Sequence, residues 1–301
     1  MVASFGAENV TTSAMHAEIA AVLANGRAIV IRGSMGNNRN AQFQQFEIEE
    51  STTAADLVLA HLASPQRSAR FPQAKTEPHL ATAALQSLAR GRVFGISAGF
   101  SLAALVNAAL DRTGPADVEI VTWSAAAESL EAVNAHPSAR KIRLVVGEGY
   151  IHLPNSGASA ILRAIQRDAF RVARTHAKIV TIRNADHSIT IRGSMNLAPN
   201  PRAEQFDIED DTAIADFFTR WIDELFLVVP ADARRNVGAM ANHFKNGLNG
   251  GLALDAYAER DQRPTSNGDR LDMAALAQAP KSYAPDTLAA LMAPPKQLTL
   301  L

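Results

Sequence analysis

The sequence predicts an α/β protein: a mixed sheet flanked by helices, preceded by a partial copy of its own core and followed by an irregular C-terminal tail. Three observations carry this. From Arg92 to Asp211, short apolar runs alternate with helix-like stretches, the order that builds α/β layers. Residues 16–50 match residues 176–210 at a constant offset of 160, with fourteen identities in thirty-five positions and no gap, which marks an internal duplication. After Asp211, Ile214, Phe217, Phe218, Trp221, Ile222 and Leu225 form one apolar stripe with Asp216, Arg220 and Asp223 opposite, the pattern of an amphipathic helix.

Taken in order, Thr53–Ala63 reads as a helix with Ala55, Leu57, Val58, Leu59 and Leu62 apolar. Ser64–His79, rich in Pro, Ser and charge, reads as a linker or exposed loop, and Leu80–Leu88 as a short helix. Val93–Ile96 reads as a buried strand, and Ser97-Ala98-Gly99 turns into an apolar helix through Leu110. Val118–Trp123 and Ile142–Val146 are further strands, with a helix over Ala125–Ala135 between them. Ser156 is expected to cap a helix running to Ala169. Ala177–Ile182 and Ser188–Ile191 alternate as strands around the turn residues Asn184-Ala185-Asp186, and Gln205–Ile208 is a third short strand. Beyond Val229, Pro230, the run Asn246–Gly251 and Ala293-Pro294-Pro295 interrupt the apolar pattern, and Asp232–Lys245 is a helix-like stretch within it. The expected units are a degenerate N-terminal repeat over 1–65, a linker over 66–90, a core over 91–230 and a tail over 231–301.

The composition is that of an ordinary globular chain, 47% hydrophobic and 20% charged. The absence of cysteine excludes disulfides and thiolate metal sites. Met1-Val-Ala-Ser-Phe-Gly lacks a basic n-region with a long apolar run, and no stretch nears the roughly 20 apolar residues a membrane span needs. A cytoplasmic protein without membrane association is the expectation. Between Arg140 and Arg202 there are eleven Lys or Arg against Glu148, Asp168 and Asp186, so this segment is expected to face a polyanion, either nucleic acid or nothing beyond solvent. Arg163, Arg167 and Arg171 recur at i+4 spacing and would form a phosphate-gripping stripe on one helix.

The chemistry concentrates in Thr175–Asp211. His176 and Lys178 are two apart on an expected strand and so share a face. Gly193-Ser194-Met195-Asn196 follows the next strand, and Glu204 opens the third. An imidazole, an ammonium, a carboxamide and a carboxylate from one hairpin suit a phosphate: a nucleophile, a positive clamp, a neutral donor and an orienting acid. Ser194 would cap the loop or bind phosphate, and Gly193 would let the anion approach. In these residues the chain resembles the phospholipase D superfamily, whose motif is His-x-Lys, then about a dozen residues, Gly-Ser-x-Asn, and a later Glu. The resemblance covers roughly residues 91–230. It implies a phospholipase D-like mixed sheet, metal-independent and cofactor-independent phosphodiester cleavage through a phosphohistidine, and a site assembled from two His-x-Lys motifs. One position departs: the family carries Asp five residues after the Lys, where this chain has Arg183.

In the first copy, Lys178 corresponds to Glu18, Asn196 to Gly36 and Glu204 to Gln44, while His16, Gly33 and Ser34 persist. The expected pairing is a homodimer that brings His176 to its symmetry mate; the alternative pairs His176 with His16 as general acid inside one chain. The basic segment favours a nucleic-acid substrate over a lipid, and the general look resembles a phage or prophage accessory protein of a bacterial host cell. A second class of function keeps the phosphate grip without turnover. A third rests on Gly95-Ile-Ser-Ala-Gly99, which matches a nucleophile elbow with Ser97 as nucleophile and His152, His176 or His187 as base. Met35, Met195, Trp123 and Trp221 are expected in the core.

Overall fold

The structure is a computed structural model, and it describes residues 17–24, 27–34, 44–63, 78–88, 91–97, 99–148, 158–200 and 202–229. Strands β1 (Glu18–Ala24), β2 (Arg27–Gly33) and β3 (Phe46–Glu50) form an antiparallel sheet in that order, backed by helix α1 (Thr52–Ala63). Helix α2 (Pro78–Ser87) leads into β4 (Val93–Ser97), α3 (Leu102–Thr113), β5 (Ala116–Thr122), α4 (Ala127–Asn134), β6 (Ala139–Gly147) and α5 (Ala158–Ala164). Then follow β7 (Phe170–Ala173), β8 (Ile179–Arg183), β9 (Ser188–Gly193), β10 (Glu204–Asp210) and α6 (Thr212–Val228). The second sheet has seven strands in the order β4-β10-β9-β8-β5-β6-β7, parallel across β5-β6-β7 and antiparallel elsewhere.

Both faces of the central strands are covered, which is why they read as near-continuous apolar runs. On one face Val118, Ile120, Val180, Ile182, Ile189 and Ile191 pack beneath α3, whose Leu105, Val106 and Leu110 are buried. On the other, Val121, Val145, Ala173 and Ile179 meet Ile222, Leu225 and Val229 at the end of α6. The helix ends follow local chemistry. Ser101 Oγ accepts from the Ala104 N–H at the start of α3, and Gly114 at φ 69° ends it. Asp211 Oδ1 accepts from the N–H groups of Ala213 and Ile214 at the start of α6. No described helix is long and apolar enough to cross a membrane.

The duplication is structural as well as sequential: β1-β2-β3-α1 repeats β8-β9-β10-α6 at the same offset of 160. The two copies meet through reciprocal contacts. Gln45 Nε2 donates to Gly193 O at 2.6 Å, and its equivalent Gln205 Nε2 donates to Gly33 O at 3.1 Å. Below them, Arg32 binds Glu49 (2.7 Å) and Asp207 (3.0 Å), and its equivalent Arg192 binds Glu209 (2.7 Å) and Glu47 (2.8 Å). Arg92 adds contacts to all four carboxylates, between 2.5 and 3.0 Å. The copies are therefore paired inside one chain. Beside His176 this puts the Ser34 carbonyl of the first copy, within the same chain.

The short helix expected over Leu80–Leu88 is α2, which buries Ala81 and Leu85 in the main core beside α3. Two expectations, on one segment, are corrected. The helix expected to reach Ala169 stops at Ala164. A 3-10 turn (Arg167–Ala169) and strand β7 follow, since Phe170 and Val172 alternate onto one face while Ala173 takes the other. Arg163, Arg167 and Arg171 therefore lie on a helix, a turn and a strand and do not form a stripe; the Arg171 guanidinium stacks 4.5 Å from the Phe226 ring on the α6 side. Part of the basic segment is paired with acids. Arg143 binds Glu119 and Asp223, Arg183 binds Asp216 at 2.6 Å, and Arg192 is in the buried cluster. The helix expected over Asp232–Lys245 and the remainder of the tail lie outside the described residues.

Candidate active site

His176 and Lys178 sit just ahead of β8, in the extended link from β7. Thr175, fully buried, turns the chain there: its N–H reaches Ala173 O at 2.8 Å and its hydroxyl accepts from the Ala177 N–H at 3.1 Å. The link is tied to both copies. The Lys178 N–H donates to Gln45 Oε1 at 3.1 Å, and Lys178 O accepts from the Gly193 N–H at 3.2 Å.

His176 is half-buried, with Nδ1 2.8 Å from the carbonyl oxygen of Ser34 in the first copy. A carbonyl only accepts, so Nδ1 carries the proton and the lone pair is left on Nε2. Lys178 Nζ stands 3.4 Å from Nε2 and 3.0 Å from Nδ1. These two contacts compete: an Nδ1–H that serves Ser34 cannot also accept from the ammonium. The shorter contact, to the carbonyl, assigns the Nδ1–H tautomer, and Nζ, although nearer Nδ1, then has only Nε2 as a ring acceptor. Lys178 is 2% exposed, and burial pulls its ammonium down to about 8, against the opposing pull of the Glu18 and Glu204 carboxylates.

The remaining motif residues divide by role. Ser194 is fully buried; its hydroxyl bonds Glu204 Oε2 and accepts from the Gln205 N–H at 3.0 Å. Glu204 Oε1 also accepts from Asn200 Nδ2 at 2.7 Å. Ser194 and Glu204 therefore hold the loop in place, the first of the two uses expected of Ser194. Gly193 is also structural: a Cβ there would stand 2.2 Å from Gln205 O, and its twin Gly33 faces Gln45 O at the same 2.2 Å. Asn196 Oδ1 accepts from the Ser124 N–H at 3.2 Å, which commits the carbonyl inward. Arg183 does not disturb this arrangement. It lies at the far end of β8, about 16 Å from Lys178 at strand rise, and pairs with Asp216. His16 and Gly36 lie outside the described residues.

Two functional features were not legible as such. Trp123, expected in the core, is half-buried at the end of β5 with its ring 5.8 Å from the imidazole. Gly147 makes room for it: a Cβ there would come within 2.8 Å of Trp123 Cδ1. The Ser34 carbonyl is the other, and backbone acceptors have no letter in a sequence.

Among the described residues, no serine-hydrolase geometry forms around Ser97. β4 is an edge strand antiparallel to β10, and Ser97 Oγ accepts from the Gly99 N–H at 3.0 Å, a local turn. Gly95 is small because the Phe206 ring lies on it, 2.4 Å from where a Cβ would be. His187 binds Asp210 at 2.6 Å at the opposite end of β9, His176 is held by Ser34, and His152 lies outside the described residues. Glu47, Asp207 and Glu209 place carboxylate oxygens within 4.8 Å of one another, close enough for a cation, but Arg32, Arg92 and Arg192 already neutralise them.

No family model and no curated protein matches the sequence. Among solved structures, the chain is similar to a phospholipase D family member, Nuc, from Salmonella typhimurium, at 18% identity and a TM-score of 0.36, over 46% of this chain and 95% of that one. It is similar to phosphatidylserine synthase from Haemophilus influenzae Rd KW20 at 13% identity and a TM-score of 0.40, over 70% of this chain and 62% of that one. It is also similar to polyphosphate kinase from Porphyromonas gingivalis at 12% identity and a TM-score of 0.39, over 71% of this chain but 33% of that one. The resemblance to the phospholipase D superfamily rests on the motif residues His176, Lys178, Gly193, Ser194, Asn196 and Glu204.

Proposed function

We propose that this chain is a phospholipase D-like phosphodiesterase acting on nucleic acid, with His176 as nucleophile. The observation that carries the reading is the Nδ1 contact to Ser34 O, which leaves the Nε2 lone pair beside Lys178. Nε2 attacks phosphorus and the P–O bond to the leaving group breaks, giving a phosphohistidine. The leaving oxygen takes a proton from a general acid, for which His16 is the candidate; water then attacks phosphorus, giving a proton back to that group, and the P–N bond breaks to return His176. Lys178 and the donor end of Asn196 stabilise charge on the nonbridging oxygens. Support for a nucleic acid comes from the half-buried Trp123 ring beside the imidazole, a face on which a base can stack.

The test incubates the full chain, with chelator present, with labelled single- and double-stranded oligonucleotides, beside the His176→Ala variant. Cleavage lost in the variant is the expected result. Absence of cleavage by the parent chain overturns the enzymatic reading. A second reading, phosphate binding without turnover, is favoured by the eroded first copy, which carries Glu18 where the second has Lys178 and Gly36 where it has Asn196. Retention of oligonucleotide without cleavage would select it.

A further inference from the structure

The two copies exchange equivalent contacts, Gln45 with Gly193 and Gln205 with Gly33. Equivalent contacts in both directions make the relation an approximate two-fold, which sets twin positions near one another at the seam. One pair of twins there is opposite in charge: Lys178 and Glu18. Register pairs Glu18 with Gly33, the residue before the Ser34 whose carbonyl holds His176 Nδ1. Ile19, Ala21 and Leu23 pack on the α1 side of β1, so strand alternation turns Glu18 the other way, and its Oε2 is buried. In the second copy Ile179 faces α6 and Val180 faces α3, which puts Lys178 on the equivalent side. The two charges feel one another. Burial draws the Lys178 ammonium down, and the Glu18 carboxylate heads the pulls that oppose it, ahead of Glu204.

Glu204 is committed to Ser194 and Asn200. Glu18 is the carboxylate that the first copy places where the second has its cation, so an anion drawn to Lys178 also meets a like charge. Such a charge acts on a ligand in proportion to the ligand's own charge. An internal phosphodiester carries a single negative charge, and a terminal phosphate close to two at neutral pH. A lysine at position 18, matching its twin, would favour the doubly charged group; glutamate reverses the order. We propose that Glu18 is a specificity-determining residue, a like charge that lets the site hold an internal phosphodiester and turn away a terminal phosphate. Glu18 has this role only if His176 and Lys178 form a phosphate site, as proposed above.

Sulfate and methyl sulfate are the probes, because both are tetrahedral oxyanions that differ by a single charge. Each is titrated into the full chain and into Glu18→Gln at pH 6, under the Lys178 value of about 8, with the His176 ring nitrogens followed by nuclear magnetic resonance. The parent chain is expected to bind methyl sulfate more tightly than sulfate. In Glu18→Gln the affinity ratio should move toward sulfate by at least about fivefold, with the far-ultraviolet spectrum unchanged. A ratio that does not move, a parent chain that prefers sulfate, or binding of neither anion overturns the specificity role. The parent comparison needs no substitution and stands if Glu18→Gln fails to fold. An unmoved ratio beside His176-dependent oligonucleotide cleavage sinks the role of Glu18 and leaves the phosphodiesterase reading intact. A moved ratio without cleavage upholds Glu18 and removes the enzymatic reading.

Discussion

Ser34 O and Lys178 Nζ both approach the ring nitrogens of His176, and the chemistry turns on how those nitrogens are shared. With Nδ1–H given to Ser34 O, a Lys178 ammonium at Nε2 guards the lone pair until an anion draws it away. Anion affinity is therefore expected to fall as pH rises through about 8, where Lys178 loses its charge; a titration of oligonucleotide binding from pH 6.5 to 9.5 reads it. The same group affects stability with a definite sign. Burial holds the folded-state value below the usual 10.5, so the charged form penalises folding below about pH 8. That penalty is relieved as pH climbs from about 8 to 10.5. Lys178→Met should raise unfolding free energy at pH 7 by at most about 3 kcal/mol, a gain that vanishes above pH 10.5 in urea titrations. Leaving Glu18 and Glu204 without the cation trims it. A gain that persists unchanged at high pH would show that burial of the ammonium is not the cause.

At the level of strands and loops, the two Gly-Ser corners are the tightest points. Gly193→Ala must force a Cβ into Gln205 O, backbone that cannot swing aside, and should cost more than about 2 kcal/mol together with the site. Ser194→Ala removes the hydroxyl that binds Glu204 and should weaken ligand affinity while leaving the His176 tautomer in place. Nuclear magnetic resonance of the imidazole nitrogens separates the two effects. This is also the level at which the sequence reads best. The offset of 160 was visible because Ile-Arg-Gly-Ser-Met and Gln-Phe survive in both copies, and the structure gives those letters a use: Gly for close approach, Gln for the reciprocal bonds, Arg for the buried cluster. β7 was missed because four residues, Phe170–Ala173, are too short a run to outweigh Arg spacing that imitates a helix. Trp123 was placed in the core because apolar periodicity does not distinguish the middle of a strand from its mouth.

Across the whole molecule, the seam between the copies holds four carboxylates and three guanidiniums. Burial and the neighbouring Asp207 push Glu47 up to about 7, while Arg192 and Arg32 pull it back. Asp207 is likewise pushed up, chiefly by burial. A carboxyl whose folded value is raised stabilises fully below its unfolded value and loses that contribution as pH rises through the folded one. Melting temperature should therefore decline between about pH 4.5 and 7, and Glu47→Gln should flatten the decline; scanning calorimetry over that range decides it. The reciprocal glutamines add a constraint on how such a chain can change over generations. Gln45 belongs to the half that has shed its own reactive groups, yet it grips both Gly193 and Lys178 in the half that has kept them. The spent half is thus not free to drift: a change at its corner is felt at the working corner, and the old repeat persists as a splint.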